Sequence, residues 1–246
     1  MKLRPLAVLF FALFLSAEAS AAILIPTGLT ATDRIEALKI IGMGTSTKLL
    51  SDPYPLGGYD GLELGLSFES LPTDDLGRLG NRLAAPQQDV SYPKLTIGKG
   101  LYNNLDMFIQ FTPYTRQDEL SQFGGIMRWG FYQAQFQPLS ASILLHMNNG
   151  NVGNALTTRT YGVDLVGGMN VRNVALFGGV GFIESTGTFA GGAAGVTSSG
   201  SMESESVTGY HTVYGANIRI LEKGFLALQI DRYSVPVFSG KLGVRF

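Results

Sequence analysis

The residues that decide the fold are Val237-Phe238-Ser239-Gly240-Lys241-Leu242-Gly243-Val244-Arg245-Phe246. Phe238, Gly240, Leu242, Val244 and Phe246 share one parity; Val237, Ser239, Lys241, Gly243 and Arg245 share the other. Side chains of a strand alternate with period two, so this stretch shows one apolar face and one face carrying two cations. A half-apolar strand at a chain end is a sticky edge unless its sheet closes on itself. Apolar-out, polar-in alternation is what a lipid-embedded β-barrel requires.

Working outward from this strand, nine further segments show an amphipathic pattern: 59–71, 90–100, 104–113, 123–136, 139–148, 159–171, 173–185, 207–220 and 224–233. In the first, Leu62, Leu64, Leu66 and Phe68 oppose Glu63, Gly65, Ser67 and Glu69. In the third, Leu105, Met107, Ile109 and Phe111 oppose Asp106, Phe108, Gln110 and Thr112. The fourth loses its alternation around Tyr132–Gln135, as at a β-bulge. The reading is an all-β antiparallel transmembrane barrel of about ten strands over residues 59–246. The connections alternate between very short ones (Leu101–Asn103, Gln137-Pro138, Arg172 and its neighbours, Leu221–Lys223) and longer polar ones (72–89, 114–122, 149–158, 186–206). Only Ser234–Pro236 is brief where a long one is expected. The Gly/Ala/Ser-rich centre of 187–206 reads as a mobile surface loop.

Composition agrees. Charged residues are 15% of the chain and glycines number 32 of 246, against about 25% charged in typical soluble proteins and about half that glycine share. After the first residues no apolar run approaches the roughly 20 residues of a spanning helix. A membrane protein without spanning helices is a closed barrel; a secreted β-sandwich is the soluble alternative. At the start, Met1-Lys2-Leu3-Arg4, the apolar run Leu6–Leu15 and the small residues Ala19 and Ala21 read as a signal peptide, residues 1–21, cleaved after Ala21. Its removal takes Lys2, Arg4 and Glu18 and leaves 16 basic and 18 acidic residues. That balance argues against a nucleic-acid partner, which selects for a basic surface. There is no cysteine, so disulfides and thiolate metal sites are excluded.

The last strand, with Phe238, Leu242, Val244 and a closing Phe246, resembles the terminal insertion signal of bacterial outer-membrane β-barrels. The resemblance covers nearly the whole mature chain by pattern, with no subfamily motif. It implies an integral outer-membrane location, contact with outer-membrane lipid and lipopolysaccharide, and recognition by the barrel insertion machinery during assembly. Such barrels put short turns in the periplasm and long loops outside. Residues 22–58 are then a plug or periplasmic segment, with a helix over 34–41 whose capping box is Asp33 with Glu36. The alternative is one or two more strands near 38–50, giving twelve.

Inward parity collects Glu63, Glu69, Lys94, Asp106, Arg128, Asp164, His211, Arg219, Asp231, Lys241 and Arg245. Five acids balance five bases, which reads as a structural ion-pair network across a narrow lumen, with a weakly selective small-solute pore as the functional variant. Lys241 and Arg245 have Glu63 and Glu69 as candidate partners across the closing seam. Three enzyme families among outer-membrane barrels bear comparison. Omptin proteases pair aspartates against an Asp-His pair; here His211 and Asp231 lie on neighbouring strands, but no aspartate pair faces them, and Asp74-Asp75 fall in a loop. Lipid A deacylases and outer-membrane phospholipases use His followed two residues later by Ser; in His146-Met147-Asn148 an amide stands at that place and cannot be the nucleophile. His146 is then a polar rim residue facing water or lipopolysaccharide. The sequence reads as a non-enzymatic barrel with no cofactor and no metal, structural or a narrow channel. The alternatives are an adhesin acting through loops 72–89 and 186–206, and a degenerate deacylase-like barrel.

Overall fold

In the computed structural model, residues 23–82, 89–112, 120–220 and 222–246 are described. Ala19, Ala21 and the cleavage reading lie outside them. Ten antiparallel strands form one closed barrel: β1 (Leu62–Leu71), β2 (Val90–Gly100), β3 (Leu105–Phe111), β4 (Leu120–Gln133), β5 (Leu139–Val152), β6 (Leu156–Val171), β7 (Val174–Phe189), β8 (Glu203–Arg219), β9 (Gly224–Arg232) and β10 (Pro236–Arg245). Each strand pairs with its sequence neighbours, and β10 pairs with β1 to close the ring, with Ser67 opposite Lys241 and Glu63 opposite Arg245. Closure removes the sheet edge that the last strand would otherwise expose.

The outer face follows the parity of the sequence. Leu64, Ile109, Leu145, Leu165, Leu228 and Phe238 are exposed, while their chain neighbours point inward. Aromatics stand toward both ends of this belt: Trp129, Phe131 and Tyr132 toward the short-turn end, Phe123, Phe182 and Tyr210 toward the long-loop end. An apolar belt with aromatic margins around a closed barrel is a membrane-spanning surface of the outer-membrane class. The irregularity in β4 is a register shift between Trp129 and Tyr132, slightly ahead of the stretch where alternation fades in the sequence.

Two connections differ from the sequence reading. The 149–158 stretch is no loop: β5 runs to Val152 and β6 starts at Leu156. The hairpin turns through Gly153 and Asn154, both at positive φ, as a primed hairpin turn demands. Likewise β7 and β8 pair from Phe189–Glu203 downward, leaving only 190–202 as connection. That connection is not free. Leu29 forms a parallel bridge with Thr197, through Leu29 N–H to Val196 C=O and Ser198 N–H to Leu29 C=O. A low-complexity composition signals conformational freedom only until a partner strand satisfies the backbone, and here residue 29 supplies it.

The N-terminal segment lies inside the barrel and adds no strand. Helix α1 (Ala31–Leu38) sits at the long-loop end and runs into a π-helical turn, Lys39–Met43. Its capping box is three residues earlier than the sequence suggests. Thr30 is the N-cap and Asp33 the N3 residue, each side chain bonded to the other's backbone N–H. Asp33 has the chemistry of either position, and the residue before α1 decides between them. Leu29, Leu38, Ile41, Leu71, Val90, Leu156, Ile183 and Phe189 form an apolar core that caps the lumen at this end. Inward parity therefore does not mean polar throughout: strands that rise above the belt turn apolar residues both ways.

Candidate functional site

The lumen below the apolar cap is filled by residues 45–56, which descend toward the short-turn end with contacts in sequence order. Asn148 donates to Thr45 C=O (3.1 Å). Lys48 Nζ lies 2.8 Å from Glu69 Oε2 and donates to Gly44 and Ser46 C=O. Gln110 donates to Lys48 C=O, and Leu50 N–H donates to the Gln229 side chain. Asp52 accepts from Arg245 and Asn217, both at 3.1 Å. Leu56 N–H donates to Asp106 (3.1 Å). An extended chain has no internal ladder, so its backbone groups must find partners elsewhere; here barrel side chains supply them.

Three ion clusters hold this segment. Near the top, Glu69 meets Lys48 and, at 3.1 Å, Lys94, and accepts a hydrogen bond from Tyr92. At the β1–β10 seam, Glu63 meets both Lys241 and Arg245. Lower down, Asp106 accepts from Arg128 Nε (2.9 Å), whose guanidinium also donates to Asp52 C=O (2.6 Å). All of these carboxylates are buried, and each has a cation beside it, as buried charges require.

The inward-parity residues divide as follows. Glu63, Glu69, Lys94, Asp106, Arg128, Lys241 and Arg245 belong to the three clusters. Glu69 does not serve Lys241 or Arg245; both go to Glu63. Asp231 is buried and accepts two hydrogen bonds from Gln229, with no ion pair among the described residues. Arg219 is a correction: it has inward parity but stands exposed at the short-turn mouth, below the level where the lumen is enclosed. Lys48 and Asp52, central to two clusters, escape a parity argument because they lie on no strand. Their signal in sequence is a lone cation inside Thr47-Lys48-Leu49-Leu50 that needs a buried partner.

His146 is the second correction. It faces the lumen, not the rim, and is 5% exposed. Its Nε2 lies 3.3 Å from Asp164 Oδ1, and His211 Nε2 lies 3.2 Å from the same oxygen. His211 is thus paired with Asp164 rather than Asp231. Tyr233 stacks on His211 with ring centres 4.6 Å apart, and the Tyr233 and Ser46 hydroxyls share a hydrogen bond of 2.8 Å.

Little open space remains. Beside residues 47–53 the cavity against Ser142, Leu144, Asp164 and Asp231 holds ≈ 20 Å³, about room for one water. At the short-turn end a polar vestibule of ≈ 220 Å³, lined by Arg172, Arg219, Glu222 and Lys223, stops at Asp52 and Arg245.

No protein-family model matches the chain, and no curated protein matches it. Solved barrels resemble it. The attachment invasion locus protein Ail of Yersinia pestis is 14% identical over 76% of this chain and 97% of its own, with a TM-score of 0.33. The N-terminal β-barrel domain of Pseudomonas aeruginosa OprF is 10% identical over 77% and 99%, with a TM-score of 0.39. The Acinetobacter baumannii outer membrane protein Omp33 is 9% identical over 76% and 98%, with a TM-score of 0.32. At such scores they assign no role to any residue here.

Proposed function

We propose that this chain is an integral outer-membrane barrel whose own N-terminal segment closes the lumen, with a structural and surface-presenting role and no enzymatic one. The observation that carries this reading is the ladder of contacts from Thr45 to Leu56, with Lys48 and Asp52 ion-paired to the wall. A standing pore needs a continuous water path, and the ≈ 20 Å³ left beside the segment does not provide one. The apolar belt is the surface for outer-membrane lipid and lipopolysaccharide, and Phe238, Leu242, Val244 and Phe246 are the residues offered to the insertion machinery.

The test uses the absence of native cysteine. A Cβ built at Gly42 lies 3.2 Å from Ser185 Cβ, a few tenths of an ångström short of the separation across a disulfide, and 2.7 Å from the tip of the Leu38 side chain, which must turn aside. A Gly42→Cys/Ser185→Cys chain should cross-link without added oxidant in isolated outer membranes. A folded barrel that stays uncross-linked there, or one that fractionates elsewhere, contradicts the reading.

A second reading, surface adhesion, is favoured by the order of the outer face. Connection 190–202 is bridged to Leu29, and Arg34 reaches Glu205 at 2.7 Å. Deleting Ala190–Ser201 should abolish attachment to a host cell or matrix if adhesion is the role. Unchanged attachment removes that reading.

A further inference from the structure

The chain has two histidines, and both converge on one carboxylate oxygen. The register explains how. His146 on β5 is directly opposite Gly162 on β6, and Asp164 stands two residues further along that strand. Asp164 is opposite Gly181 on β7, which is in turn opposite His211 on β8. The two glycines clear the ground between the three side chains. A Cβ at Gly181 would collide with Asp164 Oδ1 and His211 Cε1, and one at Gly162 with His146 Nε2.

The two contacts are long hydrogen bonds, wider than the about 2.7–2.9 Å of charge-assisted ones. The observed 3.2 and 3.3 Å match the edge of a tetrahedron with ligands about 2.05 Å from its centre, which is about 3.3 Å. All three ligand atoms lie within 4.8 Å of one another. Among the described residues neither histidine has a hydrogen-bond partner on its buried Nδ1. In the metal-free chain the ring proton of each histidine then belongs on Nε2, facing Asp164 Oδ1; metal binding moves it to Nδ1, where water must accept it.

We propose that His146, Asp164 and His211 form a binding site for a divalent transition-metal ion of borderline softness, with Zn²⁺ the best-matched probe. Two imidazoles and one carboxylate suit Zn²⁺ rather than Mg²⁺ or Ca²⁺, which select all-oxygen sets. Three protein ligands leave a fourth position for water. On the luminal side a cavity of ≈ 20 Å³ touches Asp164, room for the one water that would complete the coordination. The bound ion would join β5, β6 and β8 across the upper lumen.

The experiment is equilibrium dialysis of the purified, tag-free full chain after chelator treatment, against Zn²⁺ with Mg²⁺ as control. One Zn²⁺ per folded chain is expected, with none retained from Mg²⁺ at equal concentration. His146→Gln, His211→Gln and Asp164→Asn, each confirmed folded by heat-dependent gel migration, should weaken Zn²⁺ by more than the roughly 10–100-fold that loss of a mere outer-shell partner produces. Zinc-edge X-ray absorption on the unaltered chain, which depends on no variant, should show two imidazole ligands. No Zn²⁺ on the folded protein, binding unchanged in the variants, or a spectrum without two imidazoles overturns the proposal.

Discussion

Lys48, on the segment inside the lumen, places its ammonium 2.8 Å from the Glu69 carboxylate on β1, and neither side chain is open to solvent. This pair joins the filling of the barrel to its wall. Without Lys48, Glu69 keeps Lys94 at 3.1 Å, so the loss is that of a charge-assisted contact, about 1.5–3 kcal/mol, rather than that of a stranded charge. Lys48→Ala should therefore lower barrel stability by that order, read as a shift of the urea midpoint in lipid vesicles. A shift worth less than about 1 kcal/mol, the usual size for an exposed pair, would show that the tie is not formed.

Glu63 holds both cations of the closing strand, with Arg245 Nε at 2.8 Å. Glu63→Gln leaves the buried Lys241 of β10 without its carboxylate and Arg245 of the same strand with Asp52 alone. The expected outcome is a larger loss, about 3–5 kcal/mol, because the Lys241 charge is left buried without a counter-ion, together with slower conversion to the folded, heat-modifiable form. Folding at the unaltered rate and stability would mean that the seam is held by backbone pairing alone.

The helix cap supplies a pH-dependent contribution. The hydrogen bond from the Thr30 side chain, and then that from its backbone, hold the Asp33 carboxyl below its ordinary range. A depressed acid contributes above its unfolded pKa, near 3.9, and the contribution is lost as pH falls through the lowered value. Thr30→Ala should cost α1 about 1 kcal/mol at neutral pH, and the difference from the parent should shrink below about pH 4. Amide exchange over residues 31–38 reads this; an equal difference at pH 3 and pH 7 would refute it.

The path of residues 23–58 makes a topological prediction. The segment bonds to the long-loop end at Leu29 and reaches the short-turn end at Leu56. With short turns in the periplasm, as is usual for such barrels, an epitope placed immediately before Ile23 should be detected on intact cells. Detection only after permeabilisation would reverse the orientation or the threading.

Much of the fold was legible from alternation, because a barrel wall makes every strand amphipathic with the same period. Val90–Gly100 and the closing Val237–Phe246 stretch could be placed almost to the residue. The outer ends of β5 to β8 could not, since above the membrane both faces are buried or polar and the period-two signal disappears. The lumen was legible only in part. Parity marks which wall residues face in, as with Glu63 and Asp106, but it is silent on an extended segment such as Thr45–Leu56 that owes its shape to the wall. It also cannot tell depth, which is why Arg219 reads like Lys241 although one is at the open mouth and the other in the core. The convergence of His146 and His211 needed the strand register and the glycines opposite them, and neither is visible in the spacing of the two histidines.

The central claim is that the N-terminal segment closes the barrel, and single-channel recording in planar bilayers tests it most directly. The full chain, inserted and shown to be folded, should leave the membrane electrically silent at moderate voltage, while a Lys48→Glu/Asp52→Lys chain, which opposes the wall charges at Glu69 and Arg245, should give discrete conductance steps. Steady open conductance from the unaltered chain would contradict the account.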